Sequence, residues 1–408
     1  MISLKIKTPL WTGDIDGRSD SLQSTGIIGS LRWWIETILR GMDKFACDPV
    51  DNNSGNSIKR CPALKENNHD IAQYCPACLI FGATGKRRMF KLRMNGGTET
   101  SIGLINIKPN GRNRGWFLGR GLVGNINLDI IPFEKDFDEN IILVPLTIAS
   151  KYGAIGAKTQ HGYGIFEFEN YPEIRFDSFK ETLKAVLKKE GIEKLKIEER
   201  NGGENFLPNI KEMFFTKVQF EAQDDNWWKE VDGIKERGRA GDGNYYKGCI
   251  NDSRMVNWVN SGSIPIPPAI KNWLRFGGGK SLWKTGDYNN KDRRIENWLF
   301  GSIKNGKSAS KINISCAYRI NNSIWEFRVW GWIPENSPFN PFSRKDFLDN
   351  LMTSLDGSGQ VKIPWNSLFG SKTKKHKLEI WREFDSSRDT VKPKEKNIEN
   401  YLQSLIRG

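Results

Sequence analysis

The chain has 408 residues, 38% hydrophobic and 27% charged, with 15 Trp and 22 Phe, which excludes a disordered tail and provides for a real core. Its formal net charge of +14 comes from 62 basic and 48 acidic side chains and points to an anionic partner, through attraction and counterion release, ahead of solubility alone. No apolar run is long enough to span a bilayer, no charged leader precedes one, and six Cys are too few for a small secreted disulfide module, so the chain is expected in the cytoplasm.

Ile2, Leu4 and Ile6 alternate with Ser3, Lys5 and Lys7, which predicts a half-buried strand ending near Pro9. A helix follows, capped by Ser24 or Thr25, striped by Ile27, Ile28, Leu31, Trp34, Ile35, Ile38 and Leu39, and stopped by Gly41. Residues 42–80 read as an irregular insertion. Strands are expected at 87–94, 126–133 and 141–148, and at Ile165, Phe166 and Phe168 after a glycine loop. Ser178 and Glu181 make a capping box for a helix bearing Phe179, Leu183, Val186 and Leu187, with Gly191 as its C-cap, and 201–205 reads as a linker.

A second pass begins with a strand at Phe214, Thr216, Val218 and Phe220 and continues through a helix-or-loop region at 249–274. Strands near 312–318 and 325–332 follow, then a helix capped by Ser343 that bears Phe347, Leu348, Leu351, Met352 and Leu355, and a short helix at 398–406. Connections this irregular favour antiparallel or mixed sheets with helices on one face, an α+β class. An apolar-Phe-Gly pattern recurs at 79–82, 298–302 and 367–371 and suggests internal duplication.

Four constellations carry chemistry. The loop 151–164 holds Gly153, Gly156, Gly162 and Gly164, with Lys151, Lys158 and His161 as donors and Tyr152 and Tyr163 as stacking platforms. Glycines let the main chain approach a ligand, and successive N–H groups can cradle a phosphate. The loop has neither the GxxxxGK[ST] nor the GxGxxG spacing, and a structural strand connection is the alternative. Between 84 and 120 there are nine basic residues, among them Lys86, Arg87, Arg88, Arg112 and Arg114, against Glu99 alone, a local balance of +8. Interleaved glycines keep that passage adaptable, and Trp116 or Phe117 can wedge against bases; an acidic protein face is the competing partner. Residues 271–311 hold ten basic and three acidic side chains, a balance of +7, around the turn 276–281 with Lys280. Two such runs suit one extended strand crossing two modules.

The fourth is a cysteine group: Cys75 and Cys78 form a CxxC, preceded by Cys61 and Cys47 at intervals of 14 residues. Four thiolates can close a tetrahedral zinc site that pins the insertion, with His69 as a substitute ligand; a redox CxxC would want a helix N-terminus after a clear strand. Cys249 and Cys316 read as plain thiols, and Asp14, Asp16 and Asp20 as a carboxylate cluster of the kind turns carry, with a divalent metal as the alternative. His161 offers an enzyme reading, as general base of a metal-independent ribonuclease, but no second acid or base accompanies it.

The runs TPLWTG at 8–13 and GIIGSLRWW at 26–34 resemble the start of the RAMP proteins of CRISPR systems, and more narrowly the first subunit of the Cmr, or type III-B, RNA-guided complex. CPACLIFG at 75–82 is similar to that family's cysteine-FG motif and GAIGAKTQHGYG at 153–164 to its glycine-rich loop, with the likeness strong over 1–170 and patchy over 210–408. The resemblance implies two ferredoxin-like, RRM-related modules, divided here as 1–205 and 206–408, without a nuclease site of their own. It implies guide RNA, near its 3′ region, and single-stranded target RNA as ligands, and other RAMP subunits as partners. Where the family loop often has Arg, this chain has Lys158 and His161. The expected RNA-binding set is therefore Arg32 at a helix start, Lys86, Arg87, Arg88, Arg112, Arg114, Lys151, Lys158, His161, Tyr163 and Lys280, with a His161 ribonuclease and a purely structural subunit as alternatives.

Overall fold

The computed structural model describes residues 1–14, 16–48, 61, 74–99, 104–189, 207–237, 246–284, 290–302 and 308–407. In chain order the first half runs β1 (Ile2–Leu10), α1 (Ser24–Gly41), α2 (Pro76–Phe81), β2 (Phe90–Glu99), the hairpin β3 (Ile105–Ile107) and β4 (Trp116–Leu118), β5 (Leu122–Pro132), α3 (Asn140–Tyr152), β6 (Phe166–Phe168) and α4 (Phe176–Lys189). Its sheet is antiparallel, ordered β2-β5-β1-β6, with Ile2 opposite Leu128 and Ile6 opposite Gly124.

The second half runs β7 (Met213–Ala222), α5 (Ser253–Asn260), β8 (Ser263–Ile264), α6 (Pro267–Phe276), α7 (Asn290–Phe300), β9 (Ile312–Ile314), β10 (Ala317–Arg319), β11 (Ile324–Trp332), α8 (Arg344–Asp356), α9 (Trp365–Phe369), β12 (Thr373–Glu383) and α10 (Ile398–Arg407). Its antiparallel sheet is ordered β12-β7-β11-β10-β8, with β9 also beside β11. In the first half β6 lies beside β1 and β2 beside β5, and in the second half β12 lies beside β7 and β10 beside β11. The expected α+β class with antiparallel sheets is what the chain adopts. Among the described residues no helix is long and apolar enough to cross a membrane.

Three local expectations are corrected. Residues 141–148 are not a strand but the body of α3, whose residues 140–150 are all buried. An apolar run buried on every side has no periodicity to separate helix from strand. α4 begins at Phe176, so Ser178 lies inside it; its entry is set by the Arg175 N–H, which donates to Asn140 Oδ1 at 2.8 Å. α1 is entered through Gln23, whose N–H donates to Thr12 Oγ1 at 3.1 Å, and neither Ser24 nor Thr25 serves as its cap. The linker 201–205, Gly191 and the expected domain division at 205 lie outside the described residues. The recurrent Phe-Gly pattern has one structural meaning: Phe81, Phe300 and Phe369 each end a helix, and Gly82, Gly301 and Gly370 follow with φ of +87°, +79° and +87°.

The two halves exchange core residues. Tyr401, Leu402, Leu405 and Ile406 of α10 are buried in the first core with Met213 and Phe215 of β7. In return Ile105, Ile107 and Leu118 of the β3–β4 hairpin, together with Trp11 and Tyr163, are buried in the second. Arg328 of β11, 2% exposed, donates to the Ser150 and Gly153 carbonyls at 2.7 and 3.0 Å and closes the seam.

Candidate nucleic-acid interface and metal centre

Cys47, Cys61, Cys75 and Cys78 are buried together, their sulfurs all within 4.8 Å of one another. Cys47 Sγ lies 3.5 Å from Cys78 Sγ and 3.7 Å from Cys75 Sγ. Sulfurs about 2.3 Å from a tetrahedral zinc ion stand about 3.8 Å apart, so the donor set and spacing suit a soft divalent metal. α2 creates the geometry: Cys75 precedes it, Pro76 opens it, and Cys78 follows in its first turn. Hydrogen bonds from Cys61, Cys75 and Cys78 hold the Cys47 thiol below the ordinary range, while Cys61 and Cys75 are held above it, chiefly through their bonds to Cys47. His69 lies outside the described residues.

Arg32 belongs to this centre. It is not at a helix start but in the third turn of α1, where its guanidinium bonds Glu36 Oε1 at 2.8 Å, the Gly82 carbonyl at 2.9 Å and Cys78 Sγ at 3.0 Å. Its donors are committed internally, which removes it from the RNA-binding set. Arg40, one turn beyond Glu36, donates to the Ala46 and Cys47 carbonyls at 3.2 and 3.0 Å. The spacing 32, 36, 40 places these charges on one helix face and is the sign in the sequence of this role.

The basic passage 83–121 divides into two patches. Lys86, Arg87 and Arg88 precede β2 and the β3–β4 hairpin follows it, so a ten-residue strand separates them by about 30 Å. At the near end the exposed Arg87 lies over the Phe133 ring, 3.7 Å from its centroid. At the far end the hairpin docks on the second half: Lys108 N–H donates to the Gly233 carbonyl at 3.3 Å and Asn110 N–H to Asp232 Oδ1 at 3.0 Å. Arg112 lies over the Phe276 ring at 3.7 Å, Asn272 Nδ2 donates to the Asn110 carbonyl at 3.2 Å, and Arg114 is exposed. The hairpin tip therefore adjoins the turn 277–280, where Lys280 is half-buried. Phe117, 62% exposed, points away from Trp116 and Leu118 on the same strand.

The second basic run is divided between surface and interior, with Lys284, Lys291, Arg293 and Arg294 exposed. Lys271 and Lys311 are 5% and 9% exposed, and Arg275 pairs with Glu296 at 2.8 Å. Lys304, Lys307 and Asp287 lie outside the described residues.

The glycine loop is a seam, held between β1 and the second half. Gly162 has φ +99°, and a Cβ there would stand 2.5 Å from the Cys316 backbone nitrogen; a Cβ on Gly153 would stand 2.3 Å from the Trp34 ring. Gly156 and Gly164 are likewise pressed against Trp11 and Ile155 backbone oxygens. These glycines admit the protein's own chain rather than a ligand. Tyr163 is fully buried, donating to the Gly119 carbonyl at 2.7 Å, so base stacking by it is corrected; Tyr152 is buried as well. Lys158 remains half-buried with its Nζ 3.0 Å from the Trp11 ring centroid, and burial lowers its pKa to about 8. Lys151, half-buried, lies over Tyr171, its pKa lowered by burial and then by Arg382. His161 packs edge-on against Trp116 with a buried, unpartnered Nδ1, and burial, then Lys271 and Lys158, lower its pKa to about 4.

These placements define an α+β unit built on the β2-β5-β1-β6 sheet, with a cysteine-FG segment on one side and a glycine loop on the seam. Residues 3–167, which span it, match the model of the RAMP superfamily. No curated protein matches the chain. Among solved structures, the apo form of Cmr1 from Pyrococcus furiosus is similar at 13% identity and a TM-score of 0.33, covering 85% of this chain and 95% of that one. A chain of the type III-B Cmr-beta complex bound to cognate target RNA is similar at 11% identity and a TM-score of 0.34, covering 84% and 96%. A chain of that complex with target RNA, AMPPnP and ssDNA gives 11% and 0.34, covering 85% and 96%.

Proposed function

We propose that the protein is an RNA-binding subunit of a cytoplasmic type III-B, or Cmr, CRISPR effector that holds a strand without cutting it. In this reading residues 1–205 and 206–408 are two ferredoxin-like RAMP modules, other RAMP subunits flank them, and the ligand is the guide RNA 3′ region or single-stranded target RNA. The four thiolates of Cys47, Cys61, Cys75 and Cys78 hold a structural zinc ion. The RAMP domain and the motifs it contains support the assignment to that class.

One observation carries the RNA-binding reading. Among the described residues no carboxylate lies within ion-pair distance of Lys86, Arg87, Arg88, Arg112, Arg114, Lys151 or Lys158. The fold pairs Arg275, Arg319, Arg344, Arg382 and Arg388 with its own acids, whereas these seven side chains keep charge that no acid among the described residues neutralises. Arg87, Arg112 and Lys158 instead rest on aromatic rings, which limits their motion without neutralising them.

Replacing Arg112 and Arg114 by Ala should weaken binding of unrelated single-stranded RNAs about equally. The same change should lower the slope of log affinity against log salt by about 0.7 for each phosphate no longer neutralised. Fluorescence anisotropy across a salt series measures both. Retained affinity with an unchanged slope would remove the hairpin from the interface. The buried Nδ1 of His161 and its lowered pKa are poor provision for taking a 2′-hydroxyl proton at neutral pH. Labelled RNA incubated with the protein in chelator should stay intact, and cleavage that vanishes in His161→Ala would replace this reading.

A further inference from the structure

The basic turn at 86–88 is built directly on the cysteine cluster. Cys78 lies in α2, a helix of six residues, and α2 ends at Phe81. So short a helix has little stability of its own. Gly82 then turns the chain with φ +87°, and a Cβ there would stand 3.1 Å from both the Arg88 nitrogen and the Lys86 oxygen. Two backbone bonds, Ala83 N–H to the Lys86 carbonyl at 3.0 Å and Lys86 N–H to the Ala83 carbonyl at 2.9 Å, close the loop. Met89 N–H returns to the Ile80 carbonyl at 3.0 Å, so the turn leaves α2 and comes back to it.

A single side chain spans cluster and turn. Arg32 gives one terminal nitrogen to Cys78 Sγ at 3.0 Å and the other to the Gly82 carbonyl at 2.9 Å, while its Nε holds Glu36 at 2.8 Å. The Cys75 N–H donates to Cys61 Sγ at 3.2 Å, which ties the start of α2 to the same sulfurs. A metal on the four sulfurs would cross-link residues 47, 61, 75 and 78 and fix both ends of the first turn of α2. A sulfur carrying thiolate charge is also a far better acceptor for a guanidinium than a neutral thiol.

We propose that metal at the four-cysteine centre, transmitted through Arg32, is what orders the turn carrying Lys86, Arg87 and Arg88, so that this patch grips RNA only when the centre is loaded. The coupling to RNA rests on the function proposed above; the ordering of the turn rests on the contacts alone. Arg32 is a positioning residue here and touches no ligand.

The test uses the full chain as purified, after stripping with chelator, and after reloading with zinc, with metal content measured in each. Limited trypsin digestion followed by mass spectrometry times cleavage after Lys86, Arg87 and Arg88, with cleavage elsewhere in the chain as the reference for general unfolding. Stripping should accelerate cleavage at these three bonds by about tenfold or more, selectively, and zinc should reverse it. Arg32→Met, at full zinc content, should show the same selective acceleration. In parallel, anisotropy with a single-stranded RNA probe should show weaker binding by the stripped protein and by Arg32→Met.

The proposal is overturned if the purified protein neither carries nor takes up metal, if cleavage at 86–88 ignores stripping, or if all sites accelerate together. It is also overturned if loaded and stripped protein bind the probe equally. If the loaded protein binds no RNA at all, the functional reading fails instead, and the digestion still decides whether metal orders the turn.

Discussion

His161 stands out in the sequence for its imidazole, and its surroundings change what that imidazole can do. Burial, Lys271 and Lys158 hold its folded pKa near 4, below the ordinary 6.5, so at neutral pH it adds no charge to an RNA contact. Because the unfolded state takes up the proton first, the stability gained from keeping the ring neutral is fully present above about pH 6.5 and is lost as pH falls toward 4. His376, half-buried and stacked on Trp365 and Phe220, is lowered to about 4 in the same direction by desolvation. His161→Gln should therefore remove roughly half of the histidine-linked loss of stability between pH 6.5 and 5, as read from urea unfolding at the two pH values. An unchanged pH dependence would mean that the ring titrates normally.

Gly162→Ala is expected to lower stability by about 1–3 kcal/mol or more, since it combines a positive φ with a 2.5 Å approach to the Cys316 nitrogen. A wild-type urea midpoint in that variant would show the seam to be looser than described. Residue identity makes the cysteine centre legible, because four sulfurs in a short stretch have few competing explanations. It does not distinguish Lys158 from Lys271, or an open tyrosine from the buried Tyr163. Those differences arise from segments distant in sequence, with Trp11 against Lys158 and Tyr163, and Trp116 against Lys271, and spacing along the sequence carries no trace of them.

At the scale of elements, amphipathic pieces are readable and uniformly apolar ones are not. α1, β7 and α8 each show one buried face or a cap, and they lie where the periodicity puts them. α3 reads as a strand because its neighbours α1, α4, β7 and α10 surround it and erase the polar face. The β3–β4 hairpin is invisible for a different reason: its apolar residues serve the core of the other half. That hairpin presents Phe117 outward beside Arg114. Phe117→Ala should leave thermal stability within about 0.5 kcal/mol of wild type, yet weaken single-stranded RNA binding by about 1–3 kcal/mol if the ring stacks on a base. Isothermal titration with paired unfolding curves separates the two effects, and an unaltered affinity would leave the hairpin with a role for its arginines alone.

For the molecule as a whole, the exchange of core residues outweighs the apparent division into two sheets. Arg328 bonds two carbonyls across the seam, and Arg382 donates to Tyr152 Oη at 3.0 Å while pairing with Asp389 at 3.0 Å. Neither half has a complete core without the other, so scanning calorimetry should show one cooperative transition rather than two. Two resolved transitions would mean that the seam contributes little. Leu402→Ala, in α10, is expected to cost about 2–5 kcal/mol and to destabilise the first half itself.

The position of α10 also bears on how the protein is made. Its apolar face closes the core begun by β1 and α1, yet about four hundred residues of synthesis separate the two. A ribosome adding roughly 5–20 residues per second holds that core open for tens of seconds before α10 emerges. Through that interval the nascent first half presents an unsealed hydrophobic surface.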